Sequence, residues 1–128
     1  MSTTATGRIT GVDFVMISVT DIERAKDFYE NVLGLEPSKQ WGSMPAYEYE
    51  TGSLTLAVCD MTAFGQENTV NHQPIAFQVD DAKAMRARLE EQGVPFRGET
   101  IDSGVCLMAI FTDPDGNGLM LHQRYAPH

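Results

Sequence analysis

The stretch 12–35, VDFVMISVTDIERAKDFYENVLGL, carries the pattern that decides the fold. Its first residues are mostly apolar and rich in β-branched side chains, which predicts a buried strand. Thr20 and Glu23 stand at the spacing of a capping box, in which a hydroxyl starts a helix and a carboxylate follows three residues later. Apolar residues at helical spacing come next, and Gly34 stands where a C-cap glycine belongs. The stretch therefore predicts a strand followed by an amphipathic helix.

The same pattern returns in the stretch 74–93, PIAFQVDDAKAMRARLEEQG. Asp80 and Asp81 supply the carboxylates that favour a helix start, and Gly93 ends the helix. When Asp21 is aligned with Asp81, the strands superpose and the helix ends are one residue out of phase. The chain therefore contains an internal repeat.

Three further strands are predicted after each helix. They cover residues 35–41, 46–50 and 54–58 in the first half, and 95–99, 105–112 and 119–123 in the second half. The stretch 113–117, DPDGN, is a strong turn signal before the last of these strands. The order β-α-β-β-β occurs twice, which predicts an α+β fold. We expect two βαβββ modules whose curved mixed sheets surround a cavity, with the helices on the outer faces.

This organisation divides the chain into five parts. We expect a disordered-like tail over 1–8, a first module over 9–59, a linker over 60–73, a second module over 74–123 and a tail over 124–128. The linker is either a cover over the mouth of a site or only a connector between the modules.

The composition excludes several classes of partner. The 128 residues fit one domain, and 18 acidic against 9 basic residues give a formal net charge of -9. Clusters of Lys and Arg that would bind nucleic acid or an anionic membrane are absent, and no apolar run is long enough to span a bilayer. Cys59 and Cys106 form neither a metal motif nor a disulfide framework, which is typical of reduced thiols in the cytoplasm.

Five segments carry a resemblance to a known family. Residues 21–25 (DIERA), 28–29 (FY) and 33–35 (LGL) in the first half, with 75–81 (IAFQVDD) and 113–117 (DPDGN) in the second, resemble the vicinal oxygen chelate superfamily. That group includes glyoxalase I, extradiol dioxygenases, and fosfomycin- and bleomycin-resistance proteins. The resemblance implies the fold described above, whereas the fold hosts several chemistries and does not imply one function.

The resemblance also implies where a metal site would lie. Enzymes of the superfamily draw His, Glu or Gln ligands from positions that correspond here to Phe14, Thr55, Pro74 and Met120. Phenylalanine and proline offer no lone pair, a thioether suits hard cations poorly, and one hydroxyl cannot hold a metal alone. We therefore expect no metal and no cofactor. A relocated site built from His122, His72 and Cys106 remains an alternative, while His128 is terminal.

Strand alternation and the resemblance together predict the cavity lining. The expected ligand-binding residues are Phe14, Met16, Trp41, Tyr47, Thr55, Pro74, Gln78, Cys106, Met108, Ile110, Met120 and His122. The resemblance points Tyr47 inward, and alternation then places Asp13 and Glu48 on the opposite face. Aromatic and thioether side chains with a few hydrogen-bonding groups suit a small-molecule site, although an ordinary filled core would have the same composition.

Two functions from different classes follow. The first is metal-independent binding of a small hydrophobic or aromatic organic molecule, as in the bleomycin-resistance branch, and the acidic charge would also attract a cationic molecule. The second is a glyoxalase- or dioxygenase-type lyase, isomerase or oxygenase with His122 as general acid or base, or with a relocated metal. The resemblance further implies a homodimer.

Overall fold

The computed structural model describes residues 6–127. Residues 1–5 and 128 lie outside the described part, so the tail expected over 1–8 and the interpretation of His128 fall wholly or partly outside it. Residues 6–13 are exposed and belong to no helix or strand. Within the described part, no helix is long and apolar enough to cross a membrane.

The secondary structure follows the predicted order. The first module contains β1 (Phe14–Ser18), α1 (Ile22–Lys26), a π-helical turn (Asp27–Val32), β2 (Pro37–Gln40), β3 (Ala46–Glu50) and β4 (Thr55–Cys59). After a 3-10 turn (Met61–Phe64), the second module contains β5 (Ile75–Gln78), α2 (Ala82–Glu91), β6 (Phe96–Asp102), β7 (Cys106–Thr112) and β8 (Gly118–Arg124). The ends of the strands differ from the predicted ends by three residues or fewer.

Each module forms its own four-stranded mixed sheet. The strand orders are β1-β4-β3-β2 and β5-β8-β7-β6. In both sheets the first strand of the module runs parallel to the last, and the remaining pairs are antiparallel. The predicted α+β fold with two βαβββ modules is confirmed. The two sheets remain separate, because no ladder between residues 6 and 127 joins them.

Both helices begin at an aspartate. Asp21 accepts a hydrogen bond from the backbone N–H three residues later at 3.1 Å, and Asp81 does the same at 3.0 Å. The capping box expected from Thr20 and Glu23 is therefore wrong. Because Asp21 already caps the helix, Thr20 is free to bond elsewhere, and its hydroxyl donates to Asp115 Oδ1 at 2.6 Å.

The extra residue of the first helix is absorbed by the π-helical turn Asp27–Val32. Its hydrogen bonds span five residues instead of four, as between the N–H of Leu33 and the carbonyl of Phe28 at 2.9 Å. Both helices still end at the expected glycine, with φ of 81° at Gly34 and 85° at Gly93. The one-residue phase difference between the repeats thus has a local structural cause.

The apolar sides of both helices contribute to one core that includes residues of both modules. Tyr29, inside the π-helical turn, is fully buried, and its ring stacks on that of Tyr49 with a centroid distance of 6.1 Å. The Tyr49 hydroxyl donates to Glu30 at 2.7 Å. Burial of each ring contributes about 1.5–3 kcal/mol to the free energy of folding.

A buried hydrogen-bond network joins the modules. The Asp113 carboxylate accepts from the Tyr29 hydroxyl at 2.8 Å and from the Asn117 side-chain amide at 2.9 Å. The same amide nitrogen donates to the carbonyl of Ser18 at 2.9 Å. Burial, and then the adjacent Asp113 carboxylate, raise the pKa of Tyr29 well above its usual value. The DPDGN turn of the second module is therefore hydrogen-bonded to the first.

Candidate functional site

Each sheet has one face packed on its helix and an opposite face, which we call the open face. In the first sheet, the register places Phe14 beside Thr55 and Met16 beside Ala57. The open face of this sheet consists of Phe14, Met16, Ser18, Ala46, Glu48, Glu50, Thr55, Ala57 and Cys59. Phe14 and Met16 are each 41% exposed, which is unusual for large apolar side chains on a strand.

Trp41 contacts two phenylalanine rings and a carboxylate on this open face. The Trp41 ring makes edge contacts with Phe14, at a centroid distance of 5.5 Å, and with Phe64, at 6.1 Å. The Trp41 indole N–H donates to Glu48 Oε2 at 2.5 Å. We call Phe14, Trp41, Phe64 and Glu48 the aromatic–carboxylate cluster.

The linker lies against part of the same face. Met61, in the 3-10 turn, packs against three small buried side chains, those of Ala46, Ala57 and Cys59. Asn68, further along the linker, accepts a 2.7 Å hydrogen bond from the serine at the end of β1. The linker is thus held against the open face of the first sheet.

The open face of the second sheet carries the histidine singled out by the sequence. The register aligns two rows across three strands, Gln78–His122–Met108 and Ala76–Met120–Ile110. His122 is partly buried, and its imidazole makes no hydrogen bond to the described residues. Cys106 is buried on this sheet, and its sulfur lies 3.1 Å from the Ser103 hydroxyl.

The prediction for Tyr47 and Glu48 is wrong. Tyr47 lies on the helix side, where the Lys26 ammonium sits 4.3 Å from its ring centroid, and Glu48 lies on the open face. The physical reason is Tyr49, which shares the parity of Tyr47 and is fully buried against the core. The alternation Tyr-Glu-Tyr contained this signal, because the aromatic pair is the more apolar side of the strand.

The predicted site residues are divided between two open faces. Phe14, Met16, Trp41 and Thr55 belong to the first sheet, and Gln78, Cys106, Met108, Ile110, Met120 and His122 belong to the second. Pro74 lies directly before β5, beside the start of β8. The two sheets of the described chain are not closed on each other.

The structure instead contains a groove of about 690 Å³ between the modules. It runs along the free edge of β5 and the start of β4. Its lining comes from residues 50–56 of the first module and residues 75–80 of the second, together with a few apolar side chains of the core. Of the predicted ligand-binding residues, only Thr55 and Gln78 line it. A smaller cavity of about 210 Å³ at one end of the second sheet includes Ile110 and His72. Sequence reasoning missed the groove because it arises from the packing between modules.

The four positions that correspond to metal ligands in the resembling enzymes do not fit a metal. Phe14 and Thr55 are neighbours in the first sheet, and Pro74 and Met120 lie in the second. Together they offer one hydroxyl and one thioether, which cannot coordinate a divalent cation. Among residues 6–127, no group of three or more His, Cys, Asp and Glu side chains could hold a metal ion.

The relocated metal site is not assembled in the described chain either. The His72 backbone lies against the start of β8 at Gly118, whereas Cys106 pairs with Arg124 at its other end. Six residues of a strand span about 20 Å, which is far beyond the reach of ligands to one ion.

Cys59 is a poor nucleophile. Burial, and then the charge of the nearby Glu48 carboxylate, raise the pKa of the Cys59 thiol from 9.0 to about 11. At neutral pH the thiol is protonated, so a role for Cys59 is limited to packing on the open face.

A protein-family model described as the glyoxalase/bleomycin resistance protein/dioxygenase superfamily matches residues 11–121. Two curated proteins are similar to this chain. A probable trivalent organoarsenical cleaving enzyme from Bacillus subtilis is 34% identical over 80% of this chain and 73% of its own length. A lactoylglutathione lyase from Neisseria meningitidis serogroup A is 31% identical over 85% of this chain and 87% of its own length.

Solved structures share the architecture. TnmS3, described as an antibiotic binding protein from Streptomyces sp. CB03234, superposes with a TM-score of 0.75 and is 27% identical. The match covers 94% of this chain and 100% of TnmS3. The relatives therefore include both binding proteins and enzymes.

Proposed function

Because this chain belongs to the glyoxalase/bleomycin resistance protein/dioxygenase superfamily, we propose that it binds a small hydrophobic or aromatic organic molecule without using a metal ion. The observation that carries the proposal is the exposed aromatic surface of the first open face. Phe14 and Met16 are 41% exposed and Phe64 is 40% exposed, and both phenylalanine rings contact Trp41. Aromatic and thioether side chains of this kind stack on flat ligands and adapt to irregular ones.

Two further observations support this function. The positions that would carry a metal have side chains that do not coordinate cations, and the similar protein TnmS3 is described as an antibiotic binding protein. The ligand-binding set that we propose keeps Phe14, Met16, Trp41 and Thr55 on the first sheet. On the second sheet it keeps Pro74, Gln78, Cys106, Met108, Ile110, Met120 and His122. Tyr47 leaves the set, and Glu48 and Phe64 join it.

The test combines native mass spectrometry with the fluorescence of Trp41, which is the single tryptophan of the chain. A purified protein that retains an organic mass, or whose Trp41 emission changes on titration with neutral planar aromatics, supports the proposal. The response should be unchanged by a chelator. Stoichiometric metal with chelator-sensitive binding would contradict the metal-independent reading.

A second candidate is an enzyme with His122 as general acid or base. It is favoured by the names of the two curated relatives, a probable trivalent organoarsenical cleaving enzyme and a lactoylglutathione lyase, and by the position of His122 on the second open face. The test is to incubate the protein with lactoylglutathione or a trivalent organoarsenical and to follow loss of the compound. Turnover that His122→Ala abolishes, with binding retained, would favour this candidate over the first.

We also propose that the protein is a homodimer. Large apolar side chains remain exposed at one end of the second sheet, among them Ile101, Val105 and Tyr125, and contact with a second copy of the chain would bury such side chains. Light scattering should give twice the chain mass of 14.1 kDa, and a monomer at micromolar concentration would contradict the proposal. We further propose a cytoplasmic location, which agrees with the two free cysteines of the described chain.

A further inference from the structure

The aromatic–carboxylate cluster contains a charge whose role is not explained by packing alone. Glu48 projects from β3 onto the open face, where its cross-strand neighbours are Ala57 on β4 and Lys39 on β2, and where it contacts Trp41. A partly buried carboxylate beside an aromatic ring favours a cation as its partner. The groups around Glu48 therefore indicate whether the chain itself supplies such a partner.

The described chain supplies no ion-pair partner of this kind. The Trp41 N–H donates to one carboxylate oxygen, and no described donor reaches the other oxygen. The ion pairs among residues 6–127 are Arg24–Asp115 and Arg86–Glu90, neither of which includes Glu48. Lys39 is the cross-strand neighbour of Glu48 and stays exposed, without an ion-pair contact to it. The carboxylate is therefore anchored by a neutral donor, and no cation of the described chain forms an ion pair with it.

The rings of the cluster are also free of the chain's own cations. Within the described part, the two cations that sit over aromatic rings are Lys26 over Tyr47 and Arg86 over Phe96, both outside the cluster. Aromatic faces attract cations through their quadrupole, and this attraction increases when the site is partly desolvated. Phe14 and Phe64 leave a substantial part of their surface exposed, so a ligand can reach them.

We propose that the aromatic–carboxylate cluster is a subsite for an organic cation, namely a quaternary ammonium or a flat heteroaromatic cation that rests on Phe14, Trp41 and Phe64 and pairs with Glu48. This inference rests on the proposed function and names the ligand class of the same open face. A carboxylate attracts a cation and repels an anion, and the net charge of -9 raises the local concentration of cationic molecules. The Trp41 hydrogen bond holds Glu48 beside the same ring that Phe14 and Phe64 contact, so that both attractions act on one ligand.

The experiment uses two probes of the same shape, the cation 1-methylquinolinium and the neutral 1-methylnaphthalene. Equilibrium dialysis with the full chain gives both dissociation constants, and the indole N–H signal of Trp41 in NMR reports binding at the cluster. We expect the cation to bind about tenfold more tightly than the neutral probe. Raising the salt concentration should weaken the binding of the cation more than that of the neutral probe.

Glu48→Gln isolates the charge, because the amide oxygen of glutamine still accepts the Trp41 hydrogen bond. We expect this variant to reduce the preference for the cation to about twofold or less while it keeps the affinity for the neutral probe. Glu99→Gln is the matched control, since Glu99 is an exposed glutamate on β6 of the other sheet, outside the cluster and outside the proposed ligand-binding set. It should leave the preference close to that of the unmodified protein.

The outcomes separate this inference from the proposed function. If both probes bind equally well, without salt dependence, and Glu48→Gln changes nothing, the cation subsite is wrong and the binding function stands. If neither probe shifts the Trp41 signal, the proposed function at this face is overturned together with the inference. If Glu48→Gln fails to fold, the salt dependence of the two probes in the unmodified chain decides the question.

Discussion

Tyr47 and Glu48 are adjacent in the chain and lie on opposite faces of β3. Alternation along a strand requires neighbours to face opposite sides, but it does not say which side is buried. That choice depends on Tyr49, which is buried against Tyr29 and donates to Glu30. Because Tyr47 shares its parity, Glu48 is left facing Trp41. One tertiary contact of Tyr49 thus decides which residue can touch a ligand.

The thiol of Cys59 leads to a prediction about alkaline pH. Its pKa is about 11 in the folded chain, while an unfolded thiol ionises near 8.5–9. A raised pKa stabilises the folded state fully below the unfolded pKa, and this contribution is lost as pH rises from about 9 to 11. The free energy of unfolding should therefore fall over this range by about 1–2 kcal/mol more in the native chain than in Cys59→Ala.

Urea unfolding at a pH near 8 and again above 10 measures this difference. The comparison with Cys59→Ala cancels the alkaline effects of Tyr29 and Tyr49, whose pKa values are also raised by burial. An identical loss of stability in both proteins would mean that the thiol does not titrate as described.

At the scale of elements, the helical segments of the two modules differ in length by one residue, and each is followed by a glycine with positive φ. The sequence predicted both glycine ends and the phase difference, since these depend on residues next to each other in the chain. It did not predict the π-helical turn Asp27–Val32, which places Tyr29 in the core. A π-helical turn has no sequence signal of its own, because packing rather than propensity selects it.

The cap of α2 can be tested with an internal control. Asp81→Ala removes the side-chain acceptor of the helix N-terminus and should lower the free energy of unfolding by about 1 kcal/mol. Asp80→Ala removes the same charge one residue earlier, where no cap hydrogen bond is made. Thermal or urea unfolding should show a clearly smaller effect for Asp80→Ala. Equal losses would indicate that the charge near the helix dipole matters and the cap does not.

At the scale of the whole molecule, the modules are joined by a core and by the network around Asp113. Tyr29 comes from the first module and Asp113 from the second, and both groups are buried. A buried network of this kind stabilises one relative placement of the modules, since any other placement leaves polar groups unpaired. The placement leaves the sheets separate, with a groove between them and two open faces.

Tyr29→Phe tests this connection. The variant removes one buried hydrogen bond and keeps the ring, so the free energy of unfolding should fall by about 1–2 kcal/mol. Tyr125→Phe is the control, because the Tyr125 hydroxyl also donates to an aspartate, Asp102, but at the surface. Its loss should be smaller than about 0.5 kcal/mol by urea unfolding. If the two variants lose the same stability, the buried network does not hold the modules together.

The sequence by itself determined the repeat, the order of the elements, the two aspartate-led helices and the absence of metal-ligating side chains at four positions. These features depend on hydrophobic periodicity and residue chemistry within short stretches of chain. Only the tertiary structure decided that Glu48 faces Trp41, that the linker lies against the first open face, and that the sheets do not close around one cavity. Each of these features depends on contacts between segments that are far apart in the chain. Local sequence patterns do not contain the balance of burial and hydrogen bonding at such contacts.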